Sequence, residues 1–338
     1  MVVCEPLHES VEPQNEPFDR IIALSELGIP NLESWIFKHN VMEICTAAKG
    51  PAAAYIAATT KTDKLMWFDP DIVIFDSLSD ISLQLDISPI IFTPHQTKPE
   101  ISPIDISRNE MNFLKHGSYN LGFFAVRCEG QGQDFLNWYR DHLLEFCYID
   151  FNQGLYTDQR WCDLAPILFD QLYINRDPAC NVARWNVSQR RLSKRGSQKY
   201  FIEGKPLKFF HFSGYDSGQG KKEISRYVKK GDCLFELWDW YGRQLKIHGQ
   251  DDFSRIEWKY DRFNGGLKIT QEMRQLYREK KKLQKTYPFP FSDNNAFASF
   301  KDWYIKNGKV AFRGHSRRQN VHRLVDRLID MINNMRPR

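Results

Sequence analysis

The feature that most constrains the fold is a short apolar run that stops at a pair of acidic residues. The run KLMWF at 64–68 leads directly into Asp69-Pro70-Asp71, and a second apolar run follows at 72–75. Short runs that are apolar on both faces are typical of strands buried in a sheet that helices cover. The sequence therefore predicts two buried strands, with the acidic pair at the end of the first.

The rest of the chain extends this pattern into an α/β domain. Apolar runs at 90–92 and 121–126 predict further strands, and alanine-rich or apolar-periodic stretches at 41–49, 52–58 and 134–146 predict helices. Helices that alternate with buried strands indicate a mixed sheet flanked by helices. We expect this domain to cover 1–218 and a charged, mainly helical extension to cover 219–338.

Composition narrows the functional classes. With 338 residues, 42% of them hydrophobic, the chain can bury a substantial core. The net charge of +5 is too small to indicate nucleic-acid binding, but it is compatible with an anionic nucleotide. The seven cysteines show no Cys-x-x-Cys pair and predict reduced residues in a cytoplasmic protein. The N-terminal residues lack the basic and apolar regions of a signal peptide, and no apolar run approaches the roughly 20 residues of a membrane span, so we expect a soluble protein.

Asp69 and Asp71 are the strongest candidate for chemistry. Alternate side chains of an extended strand leave the same face, so we expect both carboxylates to point the same way. Ligands bind where the strands of an open α/β sheet end, and paired carboxylates suit a hard divalent cation that also binds phosphate. Pro70 stiffens the pair and interrupts the strand ladder. A solvated Asp-Pro-Asp turn without metal is the alternative.

Several segments in a fixed order carry a family resemblance. Residues 64–75 resemble the strand–Asp-x-Asp–strand core of GT-A glycosyltransferases. Over about 18–216 the chain is similar to a bacterial group related to the family 8 (glycogenin-like) enzymes. The other matching blocks are 43–49 (EICTAAK), 93–95 (TPH), 119–123 (YNLGF), 157–161 (TDQRW), 181–186 (NVARWN) and 211–214 (HFSG). Phosphate-loop, nucleophile-elbow and His-Glu-x-x-His signatures of other enzymes are absent.

The resemblance implies a GT-A, Rossmann-like fold and a set of roles. His211 would complete the metal site with Asp69 and Asp71, and an imidazole beside carboxylates suits Mn²⁺ somewhat better than Mg²⁺. Asn120, Asp158 and Gln159 would face the donor sugar or the acceptor, although each could instead cap a helix or turn.

Three further residues are predicted to contact the donor or acceptor. Lys49 and Thr46 lie on the predicted helix that precedes the metal strand, from which Lys49 could reach the donor diphosphate. His95 lies in a loop after a strand and could contact the acceptor or a phosphate. The basic run from Arg184 to Arg195 could hold an anion or form a solvated face.

The predicted reaction moves a sugar from a nucleotide-sugar donor to a hydroxyl of a glycan or lipid-linked acceptor, in cell-surface polysaccharide or glycan synthesis. Inversion would need a base, for which Asp158 is the candidate, whereas retention, as in the family 8 enzymes, would need none. A non-catalytic sugar or nucleotide binder of the same fold is one alternative. A nucleotidyltransferase or phosphohydrolase that uses the same aspartates is another.

The sequence also supports a prediction for each end of the chain. Residues 1–5 match the second strand of the family pattern, so the first strand–helix unit is expected to be missing. Near the other end a helix is predicted, either docked on its own domain or weakly bound to an anionic membrane surface. Its apolar positions are Val321, Leu324, Val325, Leu328, Ile332 and Met335, and its basic ones are Arg317, Arg318, Arg323, Arg327 and Arg336.

Overall fold

The computed structural model describes residues 1–196, 199–293 and 299–308, and the predicted helix from Val321 to Met335 lies outside them. The described chain is an α/β protein with several mixed sheets and a helical C-terminal part, which confirms the predicted fold class. No helix within these ranges has the length and apolar character that crossing a bilayer requires.

The elements of the described ranges follow in chain order. The strands are β1 (Val2–Val3), β2 (Ile22–Ala23), β3 (Lys64–Phe68), β4 (Ile72–Ile74), β5 (Ile90–Pro94), β6 (Tyr119–Arg127), β7 (Ile149–Asp150), β8 (Leu155–Tyr156), β9 (Leu172–Ile174), β10 (Val182–Ala183), β11 (Leu192–Arg195), β12 (Lys199–Ile202), β13 (Lys205–Pro206) and β14 (Phe209–His211). The α-helices are α1 (Leu32–Phe37), α2 (Val41–Ala47), α3 (Lys49–Thr59), α4 (Ser79–Ile87), α5 (Pro103–Asp105), α6 (Met111–His116), α7 (Gly130–Phe146), α8 (Gln159–Cys162), α9 (Ala165–Leu168), α10 (Gln219–Ile224), α11 (Cys233–Ile247), α12 (Gln250–Phe253), α13 (Gln271–Glu279) and α14 (Lys281–Thr286). Residues 300–308 are also helical.

The contacts within the chain divide it into two compact units. Of the described residues, Val2 and those within Cys45–Ile256 form the sheet unit, whereas Met1, Val3–Ile44 and those from Glu257 onward form the terminal unit. This division differs from the boundary expected near residue 218. Residues 219–256 belong to the sheet unit because α11 packs Trp238 and Tyr241 against Phe212, which directly follows β14.

Two sheets of the sheet unit position the acidic pair. One has the order β3-β6-β5-β9, in which β6 pairs antiparallel with β3 and β5, and β5 pairs parallel with β9. The other has the order β10-β14-β4, with β14 parallel to β10 and antiparallel to β4. Strands β3 and β4, consecutive in the chain, therefore lie in different sheets.

Helices cover both faces of the four-stranded sheet. On one face, Ile81 and Leu85 of α4 pack with Phe123 of β6. On the other, the rings of Phe135 and Tyr139 of α7 contact Phe92 and Phe124. Nearly all residues of β6 are buried, and its apolar side chains therefore pack into the cores on both faces of the sheet.

A close helix crossing completes the second of these faces. A Cβ at Gly50 of α3 would lie 2.8 Å from the Arg140 Cα of α7, so only glycine allows the two backbones to approach this closely. No disulfide is formed among the seven cysteines, all of which lie within the described ranges.

The terminal unit has its own core. Arg274 of α13 is fully buried and donates hydrogen bonds to the carbonyl oxygens of Phe37, His39 and Tyr260. Burial lowers the pKa of this guanidinium to about 10, so it remains charged at neutral pH. One charged side chain thus joins segments more than 200 residues apart in the sequence.

Candidate metal centre

The acidic pair forms a tight turn between the two sheets. The amide of Ile72 donates to the carbonyl oxygen of Asp69 at 3.0 Å and closes the turn. On one side the Asp69 amide donates to the Gly122 carbonyl of β6 at 2.8 Å, and on the other the Phe212 amide donates to the Asp71 carbonyl at 2.8 Å. The strand ends before the pair, and a turn, instead of the alternation of an extended strand, brings the two carboxylates together.

His211 joins the pair from the second sheet. It ends β14 opposite Ile72 of β4, and the ligand atoms of Asp69, Asp71 and His211 all lie within 4.8 Å of one another. The Nε2 atom of His211 lies 3.0 Å from the Oδ1 atom of Asp71. The structure therefore assembles the three residues that the sequence analysis selected as metal ligands.

The charge of His211 acts on the Asp71 carboxyl. Burial raises the pKa of Asp71, but the hydrogen bond and charge of His211 outweigh burial and hold the pKa below its ordinary value. The side chain of Asp71 is 37% exposed, whereas that of His211 is 6% exposed. A ligand from solvent would thus meet the carboxylate first.

The donor atoms fit a divalent cation. Two carboxylates and one imidazole give a mixed oxygen and nitrogen set, in which the oxygens suit Mg²⁺ or Mn²⁺ and the nitrogen favours a transition metal. The Oδ1 atom of Asp69 already accepts hydrogen bonds from Lys49 at 2.7 Å and from the Trp67 indole at 3.1 Å. One oxygen of this carboxylate is therefore already engaged within the protein.

Lys49 lies behind the aspartates instead of reaching into solvent. Its Nζ atom lies 2.7 Å from Asp69 Oδ1, 3.0 Å from the Leu121 carbonyl oxygen and 3.6 Å from Asp158 Oδ2. Burial lowers the pKa of Lys49, but the charges of Asp69 and Asp158 more than offset burial and raise it above its ordinary value. The ammonium is thus permanently charged and already engaged within the protein, which does not favour the predicted contact with a donor diphosphate.

Asp158 is buried beside this lysine. It is 2% exposed, it accepts a hydrogen bond from the Tyr139 hydroxyl at 2.8 Å, and it accepts another from the Thr157 hydroxyl at 3.3 Å. A carboxylate that is enclosed and paired in this way is poorly placed to take a proton from an acceptor hydroxyl. Its geometry favours a role in holding Lys49 over the predicted role as general base.

Asn120 and Gln159 form a second set of hydrogen bonds, on the other side of His211 from Asp71. The Asn120 Nδ2 atom donates to Gln159 Oε1 at 3.1 Å, and Gln159 Nε2 donates to the carbonyl oxygen of His116 at 3.1 Å. The Oδ1 atom of Asn120 faces His211 Nδ1 at 3.1 Å. The two amides are therefore linked to the candidate metal ligands through His211.

Gly122 makes room for the histidine. A Cβ at this position would lie 2.5 Å from His211 Cε1 and 2.9 Å from Asn120 Oδ1. Only a residue without a side chain allows the imidazole of β14 to lie this close to β6.

The two other residues predicted to contact donor or acceptor are Thr46 and His95. Thr46 is half-buried on α2. His95 is buried, with its ring stacked on Phe113 and in edge contact with Trp185. Burial lowers the pKa of His95 to about 3, so its imidazole is neutral and offers no charge to a phosphate.

The basic run does not form a single anion site. Arg190 donates to the carbonyl oxygens of Pro178 and Cys180, whereas Arg184 pairs with Glu223 and Lys194 pairs with Glu236. Each of these three side chains thus binds a different partner within the protein.

Sequence reasoning missed two residues that the network uses. The Nδ2 atom of Asn181 donates to Asn120 Oδ1 at 3.0 Å and to Thr93 Oγ1 at 2.8 Å. Tyr139 has the helical spacing of a core residue, and nothing in the sequence indicates that its hydroxyl binds Asp158. Asn181 begins one of the blocks that carry the family resemblance, which is the one signal that could have selected it.

Comparisons with known proteins give relatives without assigned functions. No family model and no solved structure matches the chain. The chain is similar to two curated proteins of Bacillus subtilis (strain 168), YfnF and YfnD, both named only as uncharacterized proteins. It is 29% identical to YfnF over 153 residues, which are 45% of this chain and 47% of YfnF. It is 23% identical to YfnD over 209 residues, which are 60% of this chain and 64% of YfnD. The chain thus matches about half of the first relative and less than two thirds of the second.

Proposed function

We propose that the chain is a metal-dependent glycosyltransferase of the GT-A fold that transfers a sugar from a nucleotide-sugar donor to a hydroxyl of a glycan or lipid-linked acceptor. The observation that supports this proposal most is the convergence of Asp69, Asp71 and His211 at the junction of two sheets, with their ligand atoms within 4.8 Å. The resemblance of the surrounding blocks to GT-A enzymes supplies the reaction class.

The charges of the site support a divalent ion. The site contains three carboxylates and one ammonium: Asp69 and Asp158 pair with Lys49, and Asp71 lies beside His211. A histidine binds a metal as a neutral imidazole, so with an ion in place the carboxylates would outnumber the ammonium by two, an excess that a divalent cation would balance. Asp69, Asp71 and His211 would hold the ion, and Mn²⁺ suits their mixed donor set better than Mg²⁺. When bound, the ion would neutralise the charge that develops on the departing nucleoside diphosphate.

The chain's own residues would prepare this site. Lys49 holds Asp69 through its Oδ1 atom, and Asp158 in turn holds Lys49, so the turn is oriented before any ligand arrives. Because Asp158 is enclosed by Tyr139, Thr157 and Lys49, it does not suit the role of base that inversion requires. This favours retention of configuration between the two routes.

We place this activity in the cytoplasm, in the synthesis of cell-surface polysaccharide or glycan. The support is the cysteine pattern of the sequence, which contains no Cys-x-x-Cys pair and no repeated spacing of a disulfide framework, as expected of a reducing compartment. Contact with a membrane surface through the C-terminal segment stays a prediction.

A nucleotide-sugar panel tests the proposal. Purified protein is screened for thermal stabilisation by each nucleotide sugar with and without Mn²⁺, and stabilising donors are then assayed for release of nucleoside diphosphate and transfer of the sugar. A ligand present at about 100 times its Kd adds about 2.7 kcal/mol to the free energy of unfolding, which a melting curve detects. Release of pyrophosphate or orthophosphate would replace the proposal with a nucleotidyltransferase or phosphohydrolase, and stabilisation without turnover would replace it with a sugar or nucleotide binder.

Two matched variants connect the activity to the site. Asp71→Asn should abolish Mn²⁺-dependent turnover because it removes a charged ligand. Asp76→Asn makes the same chemical change at an exposed aspartate five residues away and should leave turnover unchanged. Equal activity of both variants would exclude Asp71 as a metal ligand.

A further inference from the structure

The carboxamide of Asn120 is held in one orientation by its neighbours. Its Oδ1 atom accepts a hydrogen bond from the backbone amide of Gly122 at 3.2 Å and another from Asn181 Nδ2 at 3.0 Å. A backbone amide can only donate, so it identifies the oxygen end of this side chain without ambiguity. The nitrogen end donates to Gln159 Oε1 at 3.1 Å, in agreement with that assignment.

The orientation of Asn120 determines what His211 offers on each side of its ring. The Nδ1 atom of His211 lies 3.1 Å from Asn120 Oδ1, and an oxygen acceptor requires a hydrogen on that nitrogen. The opposite nitrogen, Nε2, lies 3.0 Å from Asp71 Oδ1 and therefore faces the candidate metal centre. Because Asn120 is buried, the acceptor cannot easily be replaced by solvent.

The space around the imidazole restricts it further. The ring of Trp185 meets the His211 ring edge-on, with the centroids 5.1 Å apart. The backbone of Gly122 lies so close that even a Cβ would collide with His211 Cε1. Packing confines the position of the ring, and the hydrogen bond to Asn120 selects which of its nitrogens faces the carboxylates.

We propose that Asn120 is a positioning residue for the metal centre: its Oδ1 atom keeps Nδ1–H of His211 turned inward, so that Nε2 is presented to the ion beside Asp69 and Asp71. This inference rests on the proposed metal centre and adds a role that sequence reasoning did not give, since Asn120 was expected to face the sugar. Partners that orient a metal-binding histidine through its second nitrogen typically change metal affinity 10–100-fold when they are removed.

The test compares two substitutions of similar size at Asn120, one that removes the oxygen acceptor of His211 Nδ1–H and one that keeps it. Asn120→Leu removes the acceptor from Nδ1–H and should weaken Mn²⁺ binding by about 10–100-fold. Asn120→Asp keeps an acceptor oxygen in place and should bind Mn²⁺ at least as tightly as the wild type. The Kd is measured from the electron paramagnetic resonance signal of free Mn²⁺, without nucleotide or activity. Electron spin-echo modulation of the bound ion should show a coordinated imidazole nitrogen in the wild type and Asn120→Asp, and lose it in Asn120→Leu.

A control variant distinguishes the contact of the Asn120 oxygen with His211 from the contact of its nitrogen with Gln159. Gln159→Ala removes the partner of Nδ2 and leaves the contact between Oδ1 and His211 in place, so its Mn²⁺ affinity should equal that of the wild type. If affinity falls as much in Gln159→Ala as in Asn120→Leu, general loosening of the network would explain the result and the proposal would be wrong.

The outcomes distinguish this inference from the proposed function. Mn²⁺ binding by the wild type together with undiminished affinity in Asn120→Leu would overturn the role of Asn120 alone. Absence of Mn²⁺ binding by the wild type would overturn the metal centre and this inference with it. Melting without metal identifies variants that do not fold, and if Asn120→Leu is one of them, weak Mn²⁺ binding by folded Asn120→Asp would still refute the proposal.

Discussion

Replacing Lys49 with methionine gives the most direct test of the buried charges behind the acidic turn. Methionine keeps the length and most of the volume of the lysine side chain but removes the ammonium. Asp69 is a quarter exposed on its side chain and can recover hydration, whereas Asp158 is 2% exposed and cannot. The variant therefore leaves one carboxylate buried and without its cation.

The expected loss of stability follows from this difference. Breaking a buried ion pair by removal of one partner costs about 3–5 kcal/mol, because the remaining charge stays desolvated. The Leu121 carbonyl oxygen also loses its donor, which adds about 1 kcal/mol. Lys49→Met should thus lower the free energy of unfolding by about 4–6 kcal/mol.

The chain offers a matched control and a compensating variant. Lys64 pairs with Asp86 at 2.6 Å near the surface, where the aspartate is 55% exposed, so Lys64→Met should cost no more than about 1 kcal/mol. In Lys49→Met combined with Asp158→Asn the uncompensated charge disappears, and most of the lost stability should return.

Urea unfolding of the metal-free protein at pH 7 measures these differences. Metal is removed with a chelator so that changes in metal affinity do not enter the result. Equal costs for Lys49→Met and Lys64→Met, or a double variant no more stable than Lys49→Met, would refute the interpretation of Lys49 as the compensating charge.

Three further predictions concern single contacts. The carboxyl of Asp71 has a folded-state pKa below its ordinary value of 3.8, so its contribution to stability is present above about pH 4 and is lost as the pH falls through the folded pKa. The difference in stability between the wild type and Asp71→Asn, measured without metal, should therefore shrink as the pH is lowered in that range. A constant difference would contradict this prediction. Gly122→Ala should cost about 1–3 kcal/mol and weaken Mn²⁺ binding, because its Cβ would lie 2.5 Å from His211 Cε1; unchanged melting and unchanged affinity would show that the ring has room to move. Arg274→Lys should lower the stability by about 1–3 kcal/mol, because a single ammonium cannot replace a guanidinium that serves three carbonyl oxygens; a melting curve like that of the wild type would argue against this role.

The residues that sequence reasoning placed correctly are those with a local signal. Asp69 and Asp71 follow an apolar strand without interruption, and His211 ends another such strand, so their positions at strand ends could be predicted. The route by which they meet could not be predicted. The turn at Pro70 moves the chain from one sheet to another. Which sheets these are is decided by the pairing of β3 with β6 and of β4 with β14, and neither partner strand is near in the sequence.

Lys49 and Asp158 show more clearly what cannot be predicted from the sequence. A lysine at the start of a helix and an aspartate before another helix are most simply interpreted as exposed groups. Their pairing across more than 100 residues depends on how α3 and the segment before α8 pack beside β6, and no local pattern encodes that packing. The same reasoning applies to α11, whose amphipathic sequence predicts a buried face but not the sheet that it covers.

The turn at Asp69-Pro70-Asp71 has a consequence for the local opening of the protein. Its backbone is bonded to β6 through Gly122 and to the end of β14 through Phe212, and these strands belong to separate sheets. An ion held by Asp69, Asp71 and His211 would therefore link the two sheets, and neither could open locally without loss of a ligand. Amide hydrogen exchange should then slow in both sheets together when Mn²⁺ is added, including strands such as β5 and β10 that carry no ligand.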